Sequence, residues 1–301
     1  MKQGQASKTA EAVAAVRAHH RIYDAPLILD DPWAIELTSA GWRRICRSRV
    51  LSWLVFDRLL AALRPVQGNI LARARYVEEK LEQALDRGSV QYVMLGAGLD
   101  SYALRQARSS DRLHIWELDH PDSQAQKLAK LKTLPVAVPD NVRFVSADLQ
   151  TTPLTDALEG AGFPFQATAF VSLLGVSYYI NENALFALIG DIAAHFAPGS
   201  QLVLDIRVTR RFIAPDYLDT YEKTARFTRK RGEPMVSDFD PGAFIARVKS
   251  LGLTLCESVS PEGQQARYFS SRQDGLIPSP EIYFLHFEVP QGDGYVAADR
   301  G

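Results

Sequence analysis

The sequence predicts an α/β fold, in which a doubly wound and mainly parallel β-sheet follows a helical cap. From residue 91 onward, short apolar runs alternate with longer amphipathic segments, a pattern typical of β-α-β units. The first 88 residues show helical periodicity and no strand pattern. No repeat or low-complexity linker divides the chain. We therefore expect a single domain over residues 1–301, with the cap over 1–88 and the sheet, with inserted helices, over 89–301.

Helical segments account for the predicted cap. An Ala-rich helix is expected over residues 10–19, and two amphipathic helices over 51–63 and 69–85. Between them, Asp30-Asp31-Pro32 interrupts the pattern. Because an aspartate can cap a helix and proline is tolerated in a first turn, a short helix is expected to begin there.

Five apolar runs predict the strands of the sheet. They cover residues 92–95, 114–118, 142–145, 167–174 and 201–206. Helices are expected between and after them, near residues 104 and 156 and over 122–131, 182–196, 217–227 and 241–250. A hairpin of residues 253–255 with 282–289 is expected to complete the sheet.

Charge and composition exclude several classes of function. The chain has 34 Lys and Arg against 35 Asp and Glu, a formal net charge of −1, so its net charge gives no attraction to nucleic acid or to a membrane. Cys46 and Cys256 stand alone, and no histidine has a companion at metal-ligand spacing. No apolar stretch approaches the roughly 20 residues of a membrane span. We expect a cytoplasmic protein with a small-molecule substrate and no metal.

A glycine-rich loop follows the first predicted strand. Gly96 and Gly98 allow a tight turn and a close approach of the backbone to a ligand. The next strand ends in Asp119, which follows the loop by the roughly 20 residues expected for a carboxylate that binds ribose hydroxyls. Glu117 is the alternative, and both carboxylates could contribute because residues two apart on a strand face the same side.

The chemistry of the loop separates two cofactor classes. A dinucleotide site places a pyrophosphate at the helix N-terminus and uses a third glycine for close packing. Here that position is Ser101, and Asp100 before it would repel a pyrophosphate. S-adenosylmethionine carries a sulfonium cation and no phosphate. The loop therefore favours S-adenosylmethionine, and an NAD(P)-dependent oxidoreductase is the alternative.

Asp148 follows the third predicted strand and would bring another carboxylate to the same edge of the sheet. It could accept a hydrogen bond from the amino group of adenine. Equally, its position before a predicted helix is typical of a helix cap.

Several motifs together resemble the leucine carboxyl methyltransferase family, especially its bacterial S-adenosylmethionine-dependent branch. The resemblance covers nearly the whole chain, and is carried by residues 9–11, 31–34, 73–76, 95–101, 117–121, 147–149 and 267–269. It implies a Rossmann-like class I methyltransferase with a seven-stranded sheet, a helical lid and bound S-adenosylmethionine.

The resemblance also implies roles for residues of the cofactor site. Arg73 would bind the methionine carboxylate and Gly96 would lie beside the methionine portion. Asp119 would bind the ribose hydroxyls, and Asp148 with the backbone of Leu149 would bind adenine. Arg75 competes with Arg73, because two positions along a helix point in different directions.

The acceptor side departs from the family pattern. Where eukaryotic members have an acidic residue after the fourth strand, this chain has Leu174, which puts a protein C-terminus as substrate in doubt. Tyr178 and Tyr179 fit a pocket wall or simple packing. Because Leu174 replaces an acidic residue, a protein that binds S-adenosylmethionine without catalysing methyl transfer is a further alternative.

The motifs contain no evident general base, which favours an acceptor that is already ionised. A carboxylate has a reference pKa near ~4, whereas an aliphatic hydroxyl must lose a proton as it attacks. We therefore expect methylation of a carboxylate in a small organic acid or natural-product intermediate. Arg267 is the candidate for orienting that carboxylate, and an ordinary structural ion pair is its alternative.

Overall fold

The computed structural model describes residues 8–105 and 113–291 and contains one seven-stranded sheet within them. The strands are β1 (Gln91–Leu95), β2 (His114–Asp119), β3 (Val142–Ser146), β4 (Ala169–Leu173), β5 (Gln201–Arg207), β6 (Thr254–Val259) and β7 (Ile282–Glu288). Their order is β3-β2-β1-β4-β5-β7-β6, with β1 to β5 parallel and β7 antiparallel to both of its neighbours. The prediction of a doubly wound, seven-stranded α/β fold is confirmed.

The helices form a cap before the sheet and layers on its two faces. The α-helices are α1 (Lys8–Tyr23), α2 (Ala34–Leu37), α3 (Ala40–Arg47), α4 (Arg49–Ser52), α5 (Arg64–Asp86), α6 (Tyr102–Arg105), α7 (Pro121–Leu131), α8 (Leu154–Gly160), α9 (Glu182–His195), α10 (Leu218–Lys230), α11 (Pro241–Ser250) and α12 (Pro261–Gln264). Shorter 3₁₀ turns cover Ala61–Leu63, Arg210–Phe212 and Pro215–Tyr217, and π-helical turns cover Trp53–Leu59 and Gln265–Phe269.

The predicted helix over residues 51–63 is helical but irregular. It consists of the end of α4, the π-helical turn Trp53–Leu59 and the 3₁₀ turn Ala61–Leu63. Pro65 occupies the first turn of α5, where its missing N–H costs no hydrogen bond. A proline cannot continue a preceding helix, so α5 begins as a new helix five residues earlier than the predicted position 69.

The two faces of the sheet pack against different layers. Side chains alternate along β1, so that Tyr92 and Met94 join a core formed with α1 and α5, whereas Val93 and Leu95 join a core formed with α8, α9 and α11. The long helix α5 thus covers one face of the sheet, and the cap and the sheet share a hydrophobic core across residue 88. Residues 1–7 and 292–301 of the predicted domain lie outside the described residues.

In the part of the chain that the structure describes, no helix combines the length and the hydropathy that crossing a bilayer requires.

Candidate active site

A cavity of about 670 Å³ opens at the carboxyl ends of the parallel strands, beneath the cap. Its volume lies within the roughly 300–1,000 Å³ typical of small-molecule sites. Loops after β1, β2, β3 and β4 form one side of the cavity, and helices of the cap with α10 form the other. In open α/β sheets this edge is the usual place for a ligand.

Gly96 is required by the geometry of the loop after β1. Its φ is +74°, and a Cβ at this position would lie 2.5 Å from Cγ2 of Val176. Gly98 donates its backbone N–H to Oδ2 of Asp119 at 2.6 Å. The loop and the end of β2 are thereby tied together, and the backbone of the loop is left open to the cavity.

Asp119 lies at the rim of the cavity with both carboxylate oxygens held by backbone groups. Oδ2 accepts from Gly98 and Oδ1 accepts from the N–H of His120 at 2.7 Å. Burial raises the pKa of the Asp119 carboxyl, and these two hydrogen bonds oppose the rise. A carboxylate has about four acceptor positions, so room remains for a pair of ligand hydroxyls.

Glu117 has a different environment from Asp119. It is buried, forms an ion pair with Lys127 of α7, and does not line the cavity. Of the two acidic residues at the end of β2, the structure places Asp119 in the site and Glu117 in the layer between the sheet and α7.

Arg73 reaches the cavity from α5 and is held on the sheet side by two partners. Nη1 donates to Oη of Tyr178 at 2.9 Å and to Oδ2 of the fully buried Asp205 at 3.2 Å. Burial disfavours the charge, but Tyr178 and Asp205 outweigh it and raise the pKa of the Arg73 guanidinium. Arg73 therefore stays charged beside the cavity.

Gly175 makes this position of Arg73 possible. A Cβ at Gly175 would lie 2.5 Å from Nη1 and Nη2 of Arg73, and φ of Gly175 is +68°. The N–H of Gly175 donates to Oδ1 of Asp205 at 2.6 Å. Asp205, at the end of β5, thus fixes both the guanidinium and the loop against which it packs.

Arg75, the alternative to Arg73, points away from the cavity. It lies on the partly exposed face of α5 and pairs with Glu79 at 2.7 Å, an i,i+4 contact along the same helix. The structure therefore brings Arg73, and not Arg75, to the cavity.

Asp148 and Leu149 lie at the rim beyond β3, where both line the cavity. Oδ1 of Asp148 accepts the N–H of Gln150 at 3.0 Å and so stabilises a turn. The N-cap residue of α8 is Pro153, so the alternative assignment of Asp148 as the cap of that helix is wrong.

Sequence reasoning missed a buried charge network that ties α1 to the glycine loop. Arg17 donates to the carbonyl of Leu99 and to Oδ2 of Asp100 at 3.3 Å, and pairs with Asp31 at 3.4 Å. Burial opposes the charge of Asp100, but Arg17 and Arg105 outweigh it and lower the pKa of that carboxyl. The sequence offered a signal in Asp31 of the Asp30-Asp31-Pro32 break, but nothing in it revealed the pairing with Arg17.

Three buried polar atoms of cavity-lining residues have no hydrogen-bond partner among the described residues. They are Oγ1 of Thr9, Nε of Arg17 and Oδ1 of Asn69. Unsatisfied buried polar atoms are rare in folded proteins. These three atoms could gain partners if side chains of the cavity rearrange around a polar ligand.

The other side of the cavity is predominantly apolar. We call this surface the apolar wall, and it consists of Val13, Val16, Trp42, Phe56, Leu60, Leu63, Val66, Ile70 and Phe227. Leu174 and Tyr179 also line the cavity, and the rings of Tyr178 and Tyr179 meet edge to face at 4.9 Å. Burial raises the pKa of Tyr179 well above its usual value, so its hydroxyl stays protonated.

The assignment of Arg267 to the acceptor is wrong. Arg267 lies outside the cavity, is partly exposed, forms an ion pair with Glu257 on β6, and lies over the ring of Tyr76. The contacts of Arg267 are therefore those of a structural ion pair. The neighbouring Tyr268 points to α5 instead, where its hydroxyl donates to Glu79 at 2.8 Å.

The residues of the site fit S-adenosylmethionine. A glycine cradle that a Cβ would fill, a charged guanidinium beside it and a carboxylate at the end of β2 offer partners for a carboxylate and for two hydroxyls. With the strand order of the sheet, they define the protein as a class I S-adenosylmethionine-dependent methyltransferase.

The chain belongs to the leucine carboxyl methyltransferase family, whose model matches residues 10–193. The chain is 33% identical over 301 residues to YktD of Bacillus subtilis (strain 168), described as a candidate S-adenosyl-L-methionine-dependent methyltransferase. The match covers 95% of this chain and 99% of that protein. A Mycobacterium tuberculosis protein with the same description is 31% identical over 189 residues, 59% of each chain. S-adenosylmethionine is thus the cofactor, and the NAD(P)-dependent alternative is set aside.

Solved structures share the fold at low identity. A candidate methyltransferase from Thermobifida fusca superposes with a TM-score of 0.60 at 16% identity, covering 96% of this chain and 97% of that chain. A DUF574 family protein from Streptomyces avermitilis gives a TM-score of 0.60 at 15% identity, with coverage of 92% and 97%. Both likenesses extend over the cap as well as the sheet.

Proposed function

We propose that this methyltransferase acts on a carboxylate oxygen of a small, largely apolar organic acid bound against the apolar wall. The observation that carries the proposal is the contrast between that wall and the protonated hydroxyl of Tyr179, which lines the same cavity. An apolar wall favours a hydrocarbon body, and a neutral donor can orient a carboxylate without removing its charge.

The cofactor half of the proposal assigns roles to residues of the opposite side. Arg73 binds the methionine carboxylate, because its guanidinium is charged and its Nη groups adjoin the cavity. Gly96 and Gly98 leave space for the methionine portion, and Asp119 accepts the ribose hydroxyls. Asp148 with the backbone of Leu149 holds adenine at the rim.

The proposed chemistry needs positioning more than proton transfer. S-adenosylmethionine supplies an activated methyl group, and an ionised carboxylate is already a nucleophile at neutral pH. The residues of the cavity therefore have to exclude water and hold the acceptor in line, which can supply a large part of a rate enhancement. Tyr178 stays engaged with Arg73, which leaves Tyr179 to contact the acceptor.

The test is an assay with methyl-labelled S-adenosylmethionine and a panel of apolar acids, such as aryl and medium-chain alkyl carboxylic acids. We expect a methyl ester, from which mild alkali releases labelled methanol. The corresponding alcohols and amides serve as controls and should not be methylated. An alkali-stable product would show an ether or a methylated nitrogen instead and would contradict the carboxyl assignment.

The variant Tyr179→Phe tests the positioning role. Loss of one hydrogen bond to a charged acceptor should lower kcat/KM for the acid by about tenfold. The affinity for S-adenosylmethionine should not change, because Tyr178 and not Tyr179 contacts Arg73. Unchanged kcat/KM in Tyr179→Phe would remove this residue from the acceptor site.

A further inference from the structure

The segment of residues 49–63, which follows α3, has apolar side chains on two faces. Only one of these faces packs into the protein. Its inner face supplies Phe56, Leu60 and Leu63 to the cavity. Its outer face exposes Val50 at 72% and Leu59 at 70%. Large apolar side chains at this exposure contribute nothing to the core, and a cluster of them marks an interaction surface.

The outer side chains form one surface because of the helix geometry. Val50, Trp53 and Leu54 follow the i, i+3, i+4 spacing of one helical face. In the π-helical turn Trp53–Leu59, residues five apart lie on successive turns, as shown by Arg58, which lies 5.4 Å from the centre of the Trp53 ring. Leu59 is therefore next to Leu54, and the four apolar residues are continuous.

Arginines surround this surface. Six arginines and one aspartate occur between residues 43 and 64. Within the described ranges 8–105 and 113–291, no acidic side chain pairs with the exposed Arg44, Arg49 or Arg58, whereas the other three arginines have acidic partners in Glu36 or Asp57. Arg43, Arg44, Arg47 and Ser48, at the start of this stretch of residues 43–64, also line a shallow recess.

We propose that the surface formed by Val50, Trp53, Leu54 and Leu59, with Arg44, Arg49 and Arg58, binds an anionic phospholipid bilayer. An interfacial helix of this kind places its apolar side chains at the boundary of headgroups and acyl chains, while its arginines contact lipid phosphates. Tryptophan is a residue that favours this boundary. The proposal concerns binding alone and does not depend on which acceptor the enzyme methylates.

A second copy of the chain fits this surface less well. In a symmetric dimer the same patch faces itself, which would bring the unpaired arginines of one copy near those of the other. An anionic bilayer instead supplies negative charge around a hydrocarbon interior, and so matches both components of the surface. The expectation of no membrane partner rested on the net charge of −1, which averages over the chain and hides this local excess of arginine.

The surface also adjoins the cavity. The same segment contributes side chains to the apolar wall from its inner face, and the 3₁₀ turn Ala61–Leu63 contacts α10, which supplies Phe227. Binding at the outer face would therefore hold the apolar wall close to the bilayer, where apolar molecules concentrate.

The experiment is flotation of the purified protein with vesicles of phosphatidylcholine containing phosphatidylglycerol, compared with vesicles of phosphatidylcholine alone. We expect binding to the anionic vesicles, a blue shift of tryptophan emission, and weaker binding as salt is raised. The double variant Trp53→Ser/Leu59→Ser should lower the partition coefficient by about tenfold or more. Arg49→Gln/Arg58→Gln should lower it by about 25-fold, which corresponds to about fivefold for each arginine.

Matched controls come from α11 and the turn that follows it. Leu251→Ser removes an exposed apolar residue and Lys249→Gln an exposed cation, and neither should change binding. Titration with S-adenosylmethionine shows that each variant is folded, because none of these residues lines the cavity. Absence of binding to anionic vesicles, equal loss in the controls, or a dimer that the surface variants dissociate would each overturn the proposal.

Discussion

The two sides of the cavity are built in different ways. The loops at the strand ends, together with Arg73 of α5, carry polar groups that specific hydrogen bonds or glycine contacts fix, as at Gly96, Asp119 and Arg73. The apolar wall has no such network, and its side chains come from separate segments of the cap and from α10. A side built from directed contacts accepts one ligand, whereas an apolar wall accepts a class of ligands.

The largest effect should come from Arg73→Met. It leaves the buried carboxylate of Asp205 without its partner, a change that typically costs about 3–5 kcal/mol of stability. Chemical denaturation measures this loss, and titration with S-adenosylmethionine measures the loss of affinity. Arg75→Met is the matched control and should cost less than about 1 kcal/mol, because its ion pair is on the partly exposed face of α5.

The double variant Arg73→Met/Asp205→Asn separates the two roles of Arg73. Removing both charges should recover part of the stability, since no unpaired charge remains buried. Affinity for S-adenosylmethionine should stay low. Recovery of affinity together with stability would show that Arg73 supports the fold and does not contact the cofactor.

Gly96→Ala should lower cofactor affinity by at least about 100-fold, because the new Cβ meets Val176 at 2.5 Å and displaces the loop. Gly275→Ala is a close control. Gly275 has the same φ of +74° but no atom within 4 Å of the added Cβ. It should lose about 1 kcal/mol of stability through backbone strain alone, with unchanged affinity. Similar affinity losses in both variants would exclude the steric explanation.

Asp119→Ala should weaken binding of S-adenosylmethionine by about 1–3 kcal/mol, the range for hydrogen bonds to a charged group. Glu117→Gln should instead lower stability, because it disrupts the buried ion pair with Lys127, and should leave affinity nearly unchanged. Calorimetric titration of both variants checks the contrast. The reverse result would exchange the roles of the two residues.

Leu60→Ala changes the apolar wall without touching the opposite side. It should raise KM for the acceptor by about tenfold, as expected for the loss of a large part of one apolar contact. The affinity for S-adenosylmethionine should be the same as in the unmodified protein. A parallel loss of cofactor affinity would mean that the two sides of the cavity are not independent.

The smallest effect is expected from Glu233→Gln. Glu233 lines the cavity and would be the candidate general base for a hydroxyl acceptor. For a carboxylate acceptor no base is needed, so kcat should change by less than about threefold and should be flat from about pH 6 to 9. A rate that rises with pH and collapses in Glu233→Gln would identify a hydroxyl acceptor.

The same contrast explains what could be predicted from the sequence. The positions of β1 to β5 and the cluster of Gly96, Asp119 and Asp148 follow from local patterns, because each motif sits at a strand end and parallel strands end at one edge. Whether Arg73 or Arg75 reaches that edge depends on the rotation of α5 against the sheet. No local pattern encodes that rotation.

Ion pairs between residues far apart in the sequence could not be predicted either, because local patterns do not show which distant segments meet in the fold. Asp205 and Arg73 are 132 residues apart, and Arg17 reaches Asp100 across 83 residues. Arg267 was misplaced because the chemistry of a guanidinium does not reveal where it lies, and the chain after β6 turns this side chain toward Glu257 and away from the cavity. The apolar wall could not be predicted from the sequence, because apolar residues in helices also build ordinary hydrophobic cores.

The helix α5 limits how this enzyme can acquire new substrates. Because α5 carries Arg73 for one side of the cavity and Ile70 for the other, and also covers one face of the sheet, the acceptor pocket is not a separable module. Replacing the cap with that of a relative would therefore exchange the helix that covers the sheet and Arg73, the proposed partner of the cofactor, in the same step. Single side-chain exchanges along the apolar wall are therefore the changes that we expect to alter acceptor specificity while leaving the helix in place.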